Sequence, residues 1–87
     1  MSSPTPPAVT LLTRPGCHLC EAARKSVERV TAALGLGWDE VDADADAELA
    51  RRHAEEIPVV LVDGVPRDFW RIDERRLARL LRERLAG

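Results

Sequence analysis

The residues of this sequence that can do chemistry together are its only two cysteines, Cys17 and Cys20, which lie three positions apart. Two thiols at this spacing lie on nearly the same side of a helix, so one can attack a disulfide and the other can resolve the mixed disulfide that forms. Cys17 falls at the start of a predicted helix, where unpaired backbone N–H groups and the helix dipole stabilise a thiolate. The pattern therefore predicts a redox dithiol with Cys17 as the attacking group.

The segments on either side of the cysteines must position them. Residues 9–12 are apolar and partly β-branched, which favours a short buried strand, and Pro15-Gly16 can end that strand in a tight turn. From His18 to about Leu34, apolar residues recur every three or four positions, as an amphipathic helix requires, and Gly35 ends it. We expect the buried stripe of this helix to comprise Leu19, Ala22, Ala23, Val27, Val30 and Leu34.

Three further strands are predicted. Residues 36–41 form a short stretch with strand character, and residues 57–62 are apolar on both faces, which indicates a central strand. Asp63-Gly64 is a hairpin signal that places residues 65–70 antiparallel beside the central strand. Pro66 has no N–H to donate, so we expect this last strand at an edge of the sheet.

Aspartates mark the starts of two further helices. Asp44 or Asp46 is expected to cap a short helix that ends at about residue 53 or 54, and Asp73 a final helix. The leucines of the final helix form one stripe, which is more typical of a core face than of a dimer seam, so we expect a monomer. That stripe comprises Leu77, Leu80, Leu81 and Leu85.

Length and composition limit the class of protein. Eighty-seven residues suit one core, and we expect residues 1–7, rich in Ser and Pro, to be a disordered tail before a single domain over 8–87. A net charge of −2 with both signs interspersed argues against nucleic acid or a membrane surface as partner. With no apparent export signal we expect a cytoplasmic protein, in which a close cysteine pair is typically catalytic, redox-sensing or metal-binding.

A strand leading into the Cys17–Cys20 pair at a helix start, a βαβ unit, and an apolar strand that opens with Ile57-Pro58 together resemble the thioredoxin fold. Within that fold the chain is most similar to a small glutaredoxin-like protein, over about residues 8–86. The resemblance implies an α/β protein of order βαβαββα, with a central mixed four-stranded sheet and helices on both faces. It also implies that Cys17 is the nucleophile, Cys20 the resolving thiol, and Pro58 a cis proline facing them.

The same resemblance suggests further site residues near the dithiol. Ile57, before the cis proline, could pair through its backbone with an extended substrate. Arg14 matches a basic residue often found before the cysteines of glutaredoxins, where it can stabilise the thiolate or bind a substrate carboxylate. His18 lies between the cysteines, and a protonated histidine there would make the disulfide more oxidising, so we expect it to tune the potential.

The segment before the last helix departs from the pattern of glutathione-using glutaredoxins. Those proteins carry a Gly-Gly pair there, whereas this sequence has Phe69 and Trp70, whose bulk disfavours the usual mode of glutathione binding. Arg71 could meet a substrate carboxylate, and Asp73 could lie near the site as a helix cap. Trp70 could equally cover an edge of the core. The reductant is therefore predicted only as glutathione, another low-molecular-weight thiol or a flavoprotein reductase.

The sequence predicts a thiol-disulfide oxidoreductase that reduces protein disulfides or protein–thiol mixed disulfides and needs no metal or bound cofactor. Two alternatives from other classes stay open. The first is a metal-binding module using Cys17, Cys20, His18 and His53, although two cysteines are few for a closed zinc site. The second is a non-catalytic thioredoxin-fold redox sensor or interaction domain, in which the cysteine pair reports oxidation to a partner.

Overall fold

The computed structural model describes residues 8–53 and 55–86, so the tail expected over residues 1–7 lies outside the described residues. A four-stranded sheet and three α-helices follow one another in the predicted order βαβαββα, with a 3₁₀ turn at Ala43–Ala45. The strands and helices are β1 Val9–Thr13, α1 His18–Leu34, β2 Trp38–Asp42, α2 Ala47–His53, β3 Val59–Val62, β4 Val65–Phe69 and α3 Glu74–Ala86.

The sheet is mixed, with strand order β2-β1-β3-β4. β1 runs parallel to β2 and antiparallel to β3, and β4 pairs antiparallel with β3. β3 is therefore central and β4 an edge strand, as the apolar character of β3 and the proline in β4 predict. Pro66 pairs with Leu61, and a register shift between Val60 and Leu61 makes β4 irregular at this point.

The larger part of the core lies between one face of the sheet and helices α1 and α3. Val9 and Leu11 of β1 stand beside Val62 and Val60 of β3, and all four are buried against residues of the two helices. The helical members of this cluster are Ala23, Val27, Val30, Leu77 and Leu81. Because side chains alternate along a strand, β1 and β3 must also bury residues on the opposite face.

The opposite face of the sheet is buried as well, and the segment that contains α2 contributes buried residues of its own. Leu12 and Val59 are paired across β1 and β3 and are almost completely buried, although they do not belong to the cluster under α1 and α3. Ala43 and His53, which begin the 3₁₀ turn and end α2, are buried as well. The predicted arrangement of helices on both faces is therefore confirmed.

Helix boundaries follow the predicted caps. Gly35 takes a left-handed conformation at φ 70°, and the N–H groups of Gly35 and Leu36 donate to the last carbonyls of α1. Because Leu36 is used to close the helix, β2 begins at Trp38 and not at residue 36. Asp46 accepts from the N–H of Glu48 at the start of α2, as predicted, and Asp42 does the same for the 3₁₀ turn.

The predicted apolar stripes are wrong at the ends of two helices. Leu19 is 40% exposed and Ala22 is also exposed, so the first turn of α1 lies outside the core that buries Ala23. At the far end of α3, Leu85 is 52% exposed whereas Leu77 and Leu81 are buried. None of the helices in the described part of the chain is both long enough and apolar enough to cross a membrane.

Truncation of a buried leucine of α3 should destabilise the fold. Leu81→Ala removes a side chain with 0% exposure from the core cluster, and we expect the free energy of unfolding to fall by about 2–5 kcal/mol. Leu85→Ala, on the same helix but exposed, should change it by less than about 0.5 kcal/mol. Urea unfolding of both variants measures the difference, and equal losses would contradict the packing described for α3.

Candidate active site

The cysteine pair lies where α1 begins, directly after β1. Gly16 takes φ 76° in the turn after Pro15, a conformation that glycine adopts without strain. This turn makes Cys17 the N-cap residue of α1, and the N–H of Cys20 donates to the Cys17 sulfur over 3.2 Å. An unpaired donor of the first helical turn therefore points at the sulfur that the sequence predicts as the nucleophile.

The two sulfurs have different surroundings. Both cysteines are free thiols, and Cys17 is half-buried whereas Cys20 is 2% exposed. Burial raises the pKa of the Cys20 thiol to about 11, and its hydrogen bond with Cys17 acts in the same direction. The backbone N–H of Arg14 and the positive charge of Arg24 partly oppose this rise in the pKa of Cys20. The dithiol is thus asymmetric, with one accessible sulfur and one protected sulfur.

A cleft of about 340 Å³, lined by several charged side chains, opens beside the dithiol. Arg14 lines it, and the Arg14 Nε donates to Asp44 Oδ1 over 3.2 Å, so its guanidinium is tied to the 3₁₀ turn. His18 lies exposed in the same cleft. Its lining residues are Arg14, Pro15, Gly16, Cys17, His18, Cys20, Glu21 and Arg24. The structure therefore brings four predicted site residues, Cys17, Cys20, Arg14 and His18, to one cleft.

Arg24, which lines this cleft, forms an ion pair with Glu40 that the sequence did not predict. Arg24 donates to both carboxylate oxygens of Glu40, over 2.6 and 2.8 Å, and Glu40 also accepts from the hydroxyl of Thr13 over 3.0 Å. The hydrogen bonds from Arg24 hold the pKa of the Glu40 carboxyl below its usual value, and the Thr13 hydroxyl adds to this. Arg24 is exposed on the outer face of α1, and its guanidinium is bound to Glu40 of β2.

The predicted cis proline is confirmed. The Ile57–Pro58 bond is cis, Pro58 is buried and Ile57 is half-buried. Trp70 joins this segment to the end of β4, because its N–H donates to the Pro58 carbonyl and its indole Nε1 to the Glu55 carbonyl, both over 2.8 Å. The segment around Pro58 is therefore fastened to the segment that precedes α3.

Trp70 takes an unusual backbone conformation. Its φ is 64°, in the left-handed region that bulky residues rarely adopt, and the two hydrogen bonds to residues 55 and 58 hold it there. The Trp70 side chain is 51% exposed, and its ring meets Phe69 edge-on, with 5.0 Å between ring centroids.

An apolar groove lies on the other side of the start of α1. Leu19, Phe69 and Trp70, all at least 40% exposed, line a space of about 470 Å³ together with Arg71. The guanidinium of Arg71 makes no hydrogen bond or ion pair with the described residues. Leu19 lies between the two cysteines in sequence, so one wall of this groove belongs to the first turn of α1, the turn that also contains Cys20. We refer to Leu19, Phe69, Trp70 and Arg71 as the apolar groove.

Asp73 is the last of the predicted site residues. Its carboxylate accepts from the N–H of Arg76 over 3.1 Å, so it caps α3 as predicted, and its own N–H donates to Asp68 Oδ2 over 2.9 Å. These bonds fix the entry into α3 two residues after Arg71. Asp73 therefore serves the helix start, and the groove beside it is lined by Arg71 and not by Asp73.

His53, the fourth ligand in the metal-binding alternative, lies elsewhere. It is buried at the end of α2, and its Nδ1 is 3.4 Å from Glu56 Oε2. Within residues 8–53 and 55–86, no group of three or more His, Cys, Asp or Glu side chains is arranged to hold a metal ion. Cys17, Cys20, His18 and His53 of one chain thus do not come together as a ligand set.

The family described as Glutaredoxin-like domain (DUF836) matches residues 8–82. The chain is similar to the uncharacterized protein Rv0508 of Mycobacterium tuberculosis, with 34% identity over 76 residues that cover 82% of this chain and 78% of that protein. An uncharacterized protein of Mycobacterium bovis, Mb0520, matches to the same extent.

Solved structures show the same fold. Protein XcR50 from X. campestris superimposes with a TM-score of 0.71 at 29% identity, covering 87% of this chain and 97% of that one. Protein Ne2328 from Nitrosomonas europaea gives a TM-score of 0.72 at 20% identity, covering 92% and 96%. Thioredoxin O2 from Arabidopsis thaliana gives 0.61 at 17% identity, covering 88% and 73%. The thioredoxin-like fold expected from the sequence is therefore confirmed.

The different surroundings of the two sulfurs should appear in alkylation. At about pH 7, iodoacetamide should modify Cys17 well before Cys20, because Cys20 is buried and, at a pKa of about 11, only about one molecule in ten thousand carries its thiolate. In the Cys17→Ser variant, the rate at which iodoacetamide modifies Cys20 should rise roughly tenfold for each unit by which the pH is raised, because the thiolate fraction rises by that factor. Peptide mass spectrometry measures both rates, with guanidinium-unfolded protein as the control. Faster alkylation of Cys20 than of Cys17 in the native protein would contradict the assignment.

Proposed function

Because the chain belongs to the glutaredoxin-like domain family (DUF836) and its Cys17–Cys20 pair supports a redox role, we propose that it is a thiol-disulfide oxidoreductase. The observation that carries the proposal is the asymmetry of the dithiol. A half-buried sulfur receives a helix N–H, and a buried sulfur with a raised pKa lies one helical turn further on. This arrangement suits an attacking thiol and a resolving thiol.

The first step is the attack of Cys17 on a substrate disulfide. The Cys17 thiolate forms a bond to one sulfur, the substrate S–S bond breaks, and the other substrate sulfur leaves as a thiolate that takes a proton from solvent. The Cys17 sulfur accepts the N–H of Cys20 and lies at the positive end of the α1 dipole. The result is a mixed disulfide between Cys17 and the substrate.

The second step is the attack of Cys20 on the sulfur of Cys17. The Cys20 thiol loses its proton to solvent, its sulfur bonds to the Cys17 sulfur, and the substrate sulfur leaves and is protonated. The two electrons that reduce the substrate come from the protein, which is left with a Cys17–Cys20 disulfide. A low-molecular-weight thiol or a flavoprotein reductase then returns two electrons, so the cycle requires neither a metal nor a bound cofactor.

The groove and the proline segment suggest what the substrate looks like. Leu19, Phe69 and Trp70 offer an exposed apolar surface beside the dithiol, and such surfaces commonly contact other proteins. Arg71, which has no partner among the described residues, suits a carboxylate. We therefore propose that the substrates are cytoplasmic proteins whose disulfide lies near apolar and acidic residues, with the Ile57 backbone, Pro58 and Arg14 as further contacts, and that the enzyme acts as a monomer.

Substitution of each cysteine should separate the two steps. Cys17→Ser should abolish the reduction of a peptide disulfide, because Cys20 is buried and mostly protonated at neutral pH. In the Cys20→Ser variant, Cys17 should still attack the substrate disulfide, but the mixed disulfide should accumulate because no thiol resolves it. Mass spectrometry detects it as an adduct on Cys17. Unchanged reduction by Cys17→Ser would contradict the proposed function.

The same assay distinguishes the redox-sensor alternative. The wild-type protein is supplied with excess reductant, either glutathione with its reductase or a thioredoxin-reductase system, and turnovers per molecule are counted. Many turnovers support an enzyme, whereas a single slow oxidation that yields a stable disulfide supports a sensor. The more effective donor also indicates which class of reductant serves the protein.

The side chain at position 70 should influence the choice between small and protein substrates. In Trp70→Gly, the new glycine can adopt the backbone φ of 64° without strain. The substitution also removes the indole from the segment where glutathione-using glutaredoxins carry glycine. We expect glutathione-dependent turnover to rise several-fold and the KM for an apolar, acidic peptide disulfide to rise several-fold as well. Steady-state kinetics with both substrates measures this, and Trp38→Phe, which changes the other tryptophan, is the control. A parallel loss with both substrates would indicate general damage to the site.

A further inference from the structure

The side chain of Arg24, which is bound to Glu40, lines the same cleft as the resolving cysteine. Arg24 follows Cys20 by four residues on α1, so the two side chains occupy the same face of the helix, and both line the cleft that also contains Cys17. The positive charge of Arg24 acts on Cys20 and opposes the effect of burial on its pKa. A cation is thus held near a sulfur that must become negative.

The sheet determines where this cation lies. Glu40 is paired with Leu11 in the parallel register of β1 and β2, and Leu11 faces α1, so the Glu40 side chain points to the same helix. Its carboxylate takes two hydrogen bonds from Arg24 and one from Thr13, a buried residue at the end of β1. A long, flexible arginine is therefore fixed at two points of its guanidinium.

The charges around Cys20 come from several elements. Cys17 and Glu21 place negative or potentially negative groups near it, whereas Arg24 and His18 are cationic or can become so. The guanidinium of Arg14 is tied to Asp44, and it is the backbone N–H of Arg14 that contacts Cys20. The titratable and charged groups that line the cleft or hold its cations are Arg14, Cys17, His18, Glu21, Arg24, Glu40 and Asp44.

We propose that Arg24, held by Glu40, is a positioning residue that stabilises the Cys20 thiolate while it attacks the mixed disulfide on Cys17. The inference rests on the proposed function and concerns its second step alone. In that step the Cys20 sulfur bonds to the Cys17 sulfur, the substrate sulfur leaves with the bonding electron pair, and the proton of Cys20 passes to solvent while the leaving sulfur gains one. Arg24 changes neither the atoms nor the electrons of this exchange; it favours the charged form of the attacking group.

The size of the effect follows from two opposing trends. Loss of the cation reduces the fraction of Cys20 that is ionised at neutral pH. The thiolate that remains is a somewhat better nucleophile, because nucleophilicity rises with pKa. This gain offsets only about half of the loss, so resolution becomes slower. Arg24 is 44% exposed, so solvent weakens its charge. We therefore expect resolution to slow by about twofold without it.

A second ion pair on the same helix provides a matched control. Arg29 also donates to both oxygens of a glutamate, Glu74 of α3, over 3.2 and 2.6 Å. That glutamate accepts from a hydroxyl as well, from Ser26 over 3.1 Å. Arg29 lines the space between α1 and α3 and not the cleft of the dithiol. Removal of the Arg29 charge therefore breaks an ion pair comparable to that of Arg24 and Glu40, but it leaves the charge near Cys20 unchanged.

The test uses the reduced protein with 2,2′-dithiodipyridine, an uncharged disulfide that releases a coloured thione in each of the two steps. In stopped flow, the first release depends on reagent concentration and reports the attack by Cys17, whereas the second is unimolecular and reports resolution by Cys20. Arg24→Gln should leave the first phase unchanged and slow the second about twofold from about pH 6 to about pH 9. Arg24→Lys should recover part of the rate, and Arg29→Gln should leave both phases as in the wild type.

Each outcome bears on one of the two proposals. Equal second phases in Arg24→Gln and Arg29→Gln, or equal slowing of both phases in Arg24→Gln, would overturn the role of Arg24. Absence of the first phase in the wild-type protein would instead contradict the proposed function. If Arg24→Gln does not fold, as judged by circular dichroism, the wild-type second phase is measured against salt: it should slow as salt screens the cation, and no change would overturn the inference.

Discussion

One hydrogen bond, from the N–H of Cys20 to the sulfur of Cys17, joins the two residues of the dithiol, and much of the fold maintains it. The bond exists because α1 begins at His18, and the helix begins there because Gly16 turns the chain directly after β1. β1 is a central strand, paired on both sides and packed under α1. The position of the sulfur is therefore fixed by the most buried part of the sheet and not by a loop.

The two sides of the dithiol have opposite character. On one side, Arg14 and Arg24 are each bound to a carboxylate, so that cleft is lined by charges that are already paired within the protein. On the other side, the apolar groove exposes two aromatic rings and a guanidinium without a partner among the described residues. The first side suits the adjustment of charge on the sulfurs, and the second suits contact with another molecule.

The sequence predicts the elements well where a local signal acts alone. Gly35, Asp63-Gly64 and Asp73 each mark a boundary that the structure confirms, since a cap or tight turn depends on one or two residues. The exposure of Leu19 was not predictable, because periodicity shows which face of a helix is apolar but not how far the core extends along it. The Arg24–Glu40 pair depends on the register between β1 and β2, which no local pattern encodes.

The irregular edge strand has a consequence for association in a crowded cell. A sheet edge with free N–H and C=O groups can recruit strands from other chains and begin aggregation. In β4, Pro66 removes one donor and the shift near Leu61 disturbs the spacing of the others, while at the opposite edge β2 exposes Asp39 and Asp42. Both edges thus discourage growth of the sheet, so a protein that exposes an apolar groove is protected against polymerising through its backbone.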